Sequence, residues 1–417
     1  MNNVKRLVSS IVLCIALLCS FLLPNLVVEV QAQTPIELTK PTVKEAMLKS
    51  QQFMLQNVKK PGYENEWYVL SLARSGSVVP ANYYQTYYDN LVNTVIEKKG
   101  GLTRNKFTEY SRVILALTSI GKDPRYVGGY NLVEKLYDFD NVKKQGINGP
   151  IFALIALDTN NYQIPKLSST VTNSRQKMID YIVSKQLADG GFALSGSKGD
   201  VDITAMALQA LSTYKNQPKV KAAIDKALLY LQNVQLTNGG YLSWDSENVE
   251  SVSQVVVALT SLGIDPKKDR RFIKGIGNWT VSNLLTFYNS KDGAFKHILK
   301  GTTNSMATEQ ATYALAAYNR FINKNNKLYD MSDVKPFITL TVNSINNYST
   351  AITGKADGYA KIVATVNNKT IGSTTANNKG VYNLKIPKQK AGVKIKVTAT
   401  DKAGKKKEMI ISVGKKK

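Results

Sequence analysis

The chain has 417 residues, with 55 Lys and Arg against 30 Asp and Glu and a formal net charge of +25. It carries two cysteines, Cys14 and Cys19, and one histidine, His297. That inventory excludes metal sites built from Cys and His clusters and any nucleophile that relies on a histidine base. No metal and no cofactor is therefore expected, and chemistry falls to carboxylates, Tyr, Lys or Ser/Thr.

Residues 1–32 read as a secretory signal peptide: Lys5 and Arg6 precede an apolar run from Leu7 to Val28, and Val30-Gln31-Ala32 gives a small-residue cleavage pattern. The rival reading is an uncleaved anchor, although Ser9, Ser10, Ser20, Pro24 and Asn25 interrupt the run that would have to span a bilayer. Cleavage near Ala32 removes both cysteines and leaves a secreted or cell-wall-associated protein without a thiol.

Residues 33–330 are repetitive. A turn signal recurs at Gly100-Gly101-Leu102, Asn148-Gly149-Pro150, Asp189-Gly190-Gly191-Phe192, Asn238-Gly239-Gly240-Tyr241 and Asp292-Gly293-Ala294-Phe295, with a looser copy at Pro61-Gly62-Tyr63. The interval, about 42–54 residues, suits one helical hairpin per repeat. Segments 66–76, 111–121, 150–158, 202–212, 253–263 and 309–319 are apolar on all faces, as helices packed on two sides must be. The segments before the turns are amphipathic instead. In 220–235 the residues Val220, Ala223, Ile224, Ala227, Leu228, Leu231 and Val234 form one apolar stripe while Lys221, Asp225, Lys226 and Gln232 stay polar. Similar outer helices are expected at 43–58, 83–98, 131–144, 172–186 and 270–289. Six inner and six outer helices in alternation predict a double-walled (α/α)6 toroid, with the inner-helix starts gathered at one mouth.

Two of the repeats carry a further pattern. Tyr230-Leu231-x-x-x-Gln235-x-x-x-Gly239-x-Tyr241, and the parallel Tyr181-Ile182-x-x-x-Gln186-x-x-x-Gly190-x-Phe192, resemble the repeat of squalene and terpenoid cyclases, with an aromatic where that repeat usually has Trp. The resemblance covers about residues 40–325 and implies the α/α toroid of terpenoid cyclases, protein prenyltransferase β chains, cobalamin-binding carriers and thioester domains. Asp200, Asp202, Thr204 and Ala205 are similar to the Asp-x-Asp-Asp-Thr-Ala motif of protonation-initiated cyclases. That likeness implies Asp202 as the general acid and Asp200 as its support, in a class II terpene cyclase of the squalene–hopene type. Ile203 stands where the motif has another acid, the toroid is single, and the chain reads as exported. Prenyltransferase chemistry would need zinc-binding Cys and His that are lacking. The bland alternative makes Asp202 a helix cap, which would hold its pKa down when a proton donor needs it raised.

Aligning the inner helices on their Ala-Leu cores puts Glu66, Ser111, Asn148, Asp202, Ser253 and Glu309 at equivalent starts, with Glu109 and Asp200 two positions earlier. A mouth of acids is expected there, beside Trp67, Tyr68, Tyr110, Phe192, Tyr241, Trp244 and Phe295. The expected ligand-binding set is Glu66, Trp67, Glu109, Tyr110, Phe192, Asp200, Asp202, Tyr241, Trp244 and Glu309, suited to a cation or a sugar-like polyol. Paired carboxylates would also suit glycoside hydrolysis. The competing reading has the acids as six caps and the aromatics as seam packing.

Residues 331–417 change to period two, with seven short strands in 337–413 broken by Asp357-Gly358, Asn367-Asn368 and Asn378-Lys379-Gly380. They predict an all-β sandwich resembling bacterial Ig-like modules of surface proteins. From residue 336 onward 16 lysines face only Asp357, Asp401 and Glu408, so an anionic cell-wall polymer or membrane surface is the expected partner, rather than nucleic acid. The whole reads as a surface protein whose toroid binds an unknown small ligand or protein, with cyclase activity and purely structural adhesion as the other two classes.

Overall fold

A computed structural model describes residues 41–165 and 172–416; the signal-peptide reading, with Cys14 and Cys19, lies outside them. In chain order the main helices are α1 (Val43–Asn57), α2 (Glu66–Arg74), α3 (Tyr83–Glu97), α4 (Thr108–Ser119), α5 (Asn148–Asp158), α6 (Arg175–Ser184), α7 (Val201–Leu211), α8 (Pro218–Val234), α9 (Val249–Leu262) and α10 (Ser305–Ile322). The all-round apolar segments are buried as their composition requires: every residue of α9 is buried. On α8 the expected stripe is buried from Val220 to Leu231, whereas Val234, the last residue of the helix, is exposed.

The six inner helices α2, α4, α5, α7, α9 and α10 pack each on the next, and α10 packs back on α2. Helix α1 covers α10, α6 covers α5 and α8 covers α7. Two of the expected outer helices are broken. Residues 131–144 form short turns at Val133–Leu136, Phe139–Val142 and Lys143–Gln145, where the Asp138 side chain accepts from the N–H groups of Asp140 and Asn141 and so starts a new turn. Residues 270–289 form turns at Arg270–Phe272, Thr280–Leu284 and Leu285–Phe287, parted by Gly275 and Gly277, both at positive φ.

The glutamines of the two clearest repeats do the same job. Gln186 Nε2 donates to the carbonyls of Gly190 (2.9 Å) and Ala223 (2.8 Å), and Gln235 Nε2 donates to those of Gly239 (3.0 Å) and Phe272 (3.2 Å). Each ties its own turn to the next outer segment. Gln235 is buried, so Gln235→Ala strands two carbonyls and is expected to cost about 1–3 kcal/mol. Urea unfolding of the variant checks this; a change below about 0.5 kcal/mol, the usual range for a surface substitution, would contradict the role.

Four two-residue strands, β1 (Leu242–Ser243), β2 (Ser246–Glu247), β3 (Tyr288–Asn289) and β4 (Ala294–Phe295), make small hairpins within the helical region. The C-terminal module has six strands: β5 (Ala351–Lys355), β6 (Lys361–Val366), β7 (Lys369–Thr375), β8 (Val381–Lys385), β9 (Lys394–Thr400) and β10 (Lys406–Ser412). They pair antiparallel in the orders β10-β9-β6-β7 and β5-β8. Ile395, Val397 and Ala399 of β9 face the core with Ile352, Ile362, Tyr382 and Leu384, and the alternating lysines face out. The expected first strand, 337–342, pairs only through a bridge between Leu340 and Ala356, flanked by Thr341 N–H to Lys355 O.

A buried ion pair joins this module to the helices. Lys122, just past α4, puts its ammonium 2.6 Å from Asp357 Oδ1 and 2.7 Å from Thr339 Oγ1, between the rings of Tyr88 (4.4 Å) and Phe337 (4.5 Å). Thr339 N–H closes the network on Asp357 Oδ2 at 3.1 Å.

Candidate functional site

The alignment of inner helices does not mark their starts. Glu66 and Asn148 open α2 and α5 and Asp202 is the second residue of α7, but Ser111 is the fourth of α4, and Ser253 and Glu309 are the fifth residues of α9 and α10. The caps are other residues: Asp200, Asn248 and Asn304 accept from the N–H groups of Ile203, Ser251 and Ala307. The reading of six acidic caps is thus corrected. Asp200 is the one acid of the set that caps, and its second oxygen accepts from Ser243 Oγ at 2.9 Å. Asp202 is not a cap. Thr204, fully buried, receives the N–H of Phe192 (2.8 Å), as Thr308 receives that of Phe295 (3.0 Å), and both serve the turns.

One sector of the interior is built around Arg112 of α4. Its Nε lies 2.8 Å from Glu66 Oε2 and its Nη2 3.1 Å from Glu109 Oε2, while the Tyr63 hydroxyl donates to Glu109. Glu66 is fully buried and takes the Glu64 N–H at 3.0 Å. Burial pushes the Glu66 carboxyl up, and Arg112 holds it back. Glu309 of α10 faces the same pair. Burial lifts it to about 8, with Arg112 opposing and Glu66 adding, so at neutral pH this carboxyl is protonated.

A second sector surrounds Asp202. Burial pushes it up to about 6, and the charges of Asp200 and Glu250 add to the rise while Ser251 and His297 oppose it. Glu250, buried, accepts from His297 Nδ1 at 2.7 Å. His297 lies in the loop before α10, and its carbonyl also receives Val249 N–H.

Between the sectors lie aromatic and amide side chains. Trp67 of α2 sits 6.0 Å from Phe152 of α5 and 5.7 Å from Tyr313 of α10, centroid to centroid. Since α2 and α5 are not neighbours in the cycle, this cluster spans the interior. Gln209 Nε2 donates to Gln254 Oε1 (2.9 Å), and Gln254 Nε2 donates to Gln310 Oε1 (2.9 Å) and to the Tyr313 hydroxyl. Arg112, Phe152, Gln209, Glu250, Gln254, Gln310 and Tyr313 are therefore interior residues that sequence reasoning missed.

Of the expected ligand-binding set, Glu66, Glu109 and Glu309 gather around Arg112, Trp67 lies between the sectors against Phe152 and Tyr313, and Asp200 and Asp202 form the neighbouring sector. Tyr110, Phe192 and Tyr241 are not part of it. Phe192 and Tyr241 have no exposed surface, as has Phe295, and Tyr110 is 2% exposed with its hydroxyl on the Gly100 and Thr103 carbonyls; these rings fill the seam between layers. Trp244 is the opposite case, 92% exposed at the β1–β2 tip with φ +51°.

Comparison with known proteins adds three findings. A family model described as a bacterial Ig domain matches residues 338–410. The cell wall-associated protease of Bacillus subtilis (strain 168) is 44% identical over 68 residues, 16% of this chain and 8% of that protein. The chain thus spans under a tenth of that relative's length. Among solved structures, Candida albicans protein geranylgeranyltransferase-I complexed with GGPP aligns with a TM-score of 0.46 and 11% identity, over 66% of this chain and 91% of that one.

Proposed function

We propose that this protein works at the outer surface of a bacterial cell, exported by residues 1–32, with the basic Ig-like module against an anionic wall polymer or membrane surface. Support comes from the Ig-domain match at 338–410, from the resemblance to a segment of a cell wall-associated protease, and from the lysine excess of that module. In this reading the closed cycle of inner helices is the toroid, and its interior is a site for a cation or a hydroxyl-rich group. The observation that carries the site is the gathering of Glu66, Glu109 and Glu309 around a single arginine, beside Trp67, in an otherwise basic chain. Ionised carboxylates accept from ammonium or hydroxyl donors, and ring faces attract positive charge or C–H surfaces. The test is a melting-temperature screen of the full chain against quaternary ammonium ions, primary amines and neutral polyols. A shift with cations or polyols that Glu309→Gln abolishes is expected; no shift anywhere in the panel rejects the site.

One observation favours a second reading, proton-initiated cyclisation of an isoprenoid: Asp202 is lifted to about 6 while Asp200 takes the cap. Weighing against it, protonating an alkene asks for a far stronger acid, and Trp67, Phe152 and Tyr313 occupy the interior that a polyprenyl chain would need. Incubation with squalene is expected to return it unchanged from both the natural protein and Asp202→Asn. A cyclised product formed by the first and lost in the second would establish the enzyme.

A further inference from the structure

The cleft where the helices meet the β module combines strain, aromatic faces and unpaired positive charge. Its deeper part is a cavity of about 380 Å³ that continues outward into one of about 300 Å³, the two sharing Arg125, Tyr126, Gly358 and Lys402 as walls. Tyr126 on the helical side and Tyr359 on the β side are each more than a third exposed. Each ring carries a cation, Arg125 at 5.7 Å from Tyr126 and Lys402 at 5.7 Å from Tyr359. Tyr359 has φ +60°, a left-handed conformation unfavourable for an aromatic residue, and it stands against Gly129, where an added Cβ would lie 3.0 Å from the ring. A strained, partly exposed aromatic ring facing a cleft is a candidate functional position.

The acids of the cleft are engaged. Asp123 pairs with Arg125, Asp357 with Lys122, and Asp401 accepts the Lys405 N–H at 2.7 Å. Lys361, Lys402 and Lys405 line the cleft and its continuation along the β module, and none of them is in an ion pair among the described residues. Two aromatic faces flanked by unpaired lysines match a ligand made of hydroxylated rings or polyols that bear negative charge, because the ring faces take C–H surfaces while the lysines take phosphate or carboxylate.

We propose that this cleft, walled by Tyr126 and Arg125 on one side and Tyr359 and Lys402 on the other, is the binding site for an anionic sugar or polyol chain. The proposal rests on the reading that the protein holds an anionic wall polymer, and it assigns that contact to the cleft instead of the outer faces of the sheets. The buried Lys122–Asp357 pair fixes the two walls relative to each other, so the site needs both parts of the chain.

Calorimetric titration of the full chain with poly(glycerol phosphate), polygalacturonate and neutral dextran tests this. Binding of one or both polyanions and none of dextran is expected, and the preferred polyanion separates phosphate from carboxylate as the source of charge. Tyr359→Asn, which suits left-handed backbone, and Lys402→Ala should each weaken binding at least about tenfold with unchanged melting temperature. Lys369→Ala and Lys394→Ala, at the far ends of β7 and β9, should change it less than about twofold, the scale of a solvent-exposed charge away from the site. If the natural protein binds and the cleft variants bind equally well, the cleft assignment falls while the surface reading stands. If neither polyanion binds, both fall.

Discussion

Replacing Asp357 by alanine is expected to destabilise the protein by about 3–5 kcal/mol, because it leaves the Lys122 ammonium buried among Tyr88, Phe337 and Thr339 without a counter-charge. Burial already pulls the Lys122 pKa down, and Asp357 is the group that opposes this. The loss should show in urea unfolding of the full chain, and Lys122 should shed its proton at a lower pH in the variant. Lys122→Met is the informative partner. Its side chain fits between two rings, and Asp357 keeps the Thr339 N–H, so about 1–2 kcal/mol is expected there. Equal losses in the two variants, or a loss below about 1 kcal/mol in Asp357→Ala, would mean that the junction is wet and weakly coupled.

Glu309→Gln is expected to change how stability depends on pH. In the folded state Glu309 keeps its proton up to about 8, whereas an ordinary glutamate loses it near 4.5. Between those values the native protein binds more protons than the unfolded chain, so stability falls as pH rises from about 4.5 to about 8. Allowing for partial exposure, the fall is on the order of 2–4 kcal/mol. Asp202 adds a fall of the same sign between 3.8 and about 6. Glutamine cannot ionise, so the variant should track the natural protein at pH 5 and exceed it in stability at pH 8. Parallel melting curves for the two proteins from pH 6 to 8 would show that Glu309 titrates normally.

The helical repeat and the β module are legible in the sequence because each has a period: all-round apolar inner segments, one-sided outer segments, then alternation in β9. What periodicity misses is local competition. At 131–144 the Asp138 side chain restarts the turn, and at 270–289 Gly275 and Gly277 interrupt it, so two expected helices become strings of short turns. The acids Glu66, Glu109 and Glu309 are found by aligning repeats, yet their partners are not, because Arg112 looks like a surface charge until the fold turns it onto two glutamates. One signal was available. In four of the six repeats the position just after the aligned residue holds a polar or bulky side chain in a segment otherwise apolar, Trp67, Arg112, Gln254 and Gln310, and all four line the interior. For Phe192, Tyr241 and Phe295 the aromatic expectation failed for a packing reason, since each of these rings, following its turn, closes the seam beneath it. The cap assigned to Asp202 belongs to Asp200 because α7 begins at Val201, one residue ahead of Asp202, which places Asp202 inside the first turn.

Choline is the most discriminating probe of the interior site, since its charge does not change with pH and it carries a hydroxyl. A permanent cation beside Glu309 must favour the ionised carboxyl, so binding measured by calorimetry in buffers of different ionisation heat should release close to one proton per choline at pH 6–7. Affinity should rise with pH until about 8, and Glu309→Gln should remove both the proton release and most of the affinity. Choline binding with no proton released, or binding that Glu309→Gln leaves untouched, would contradict an acidic cation site inside the ring of helices.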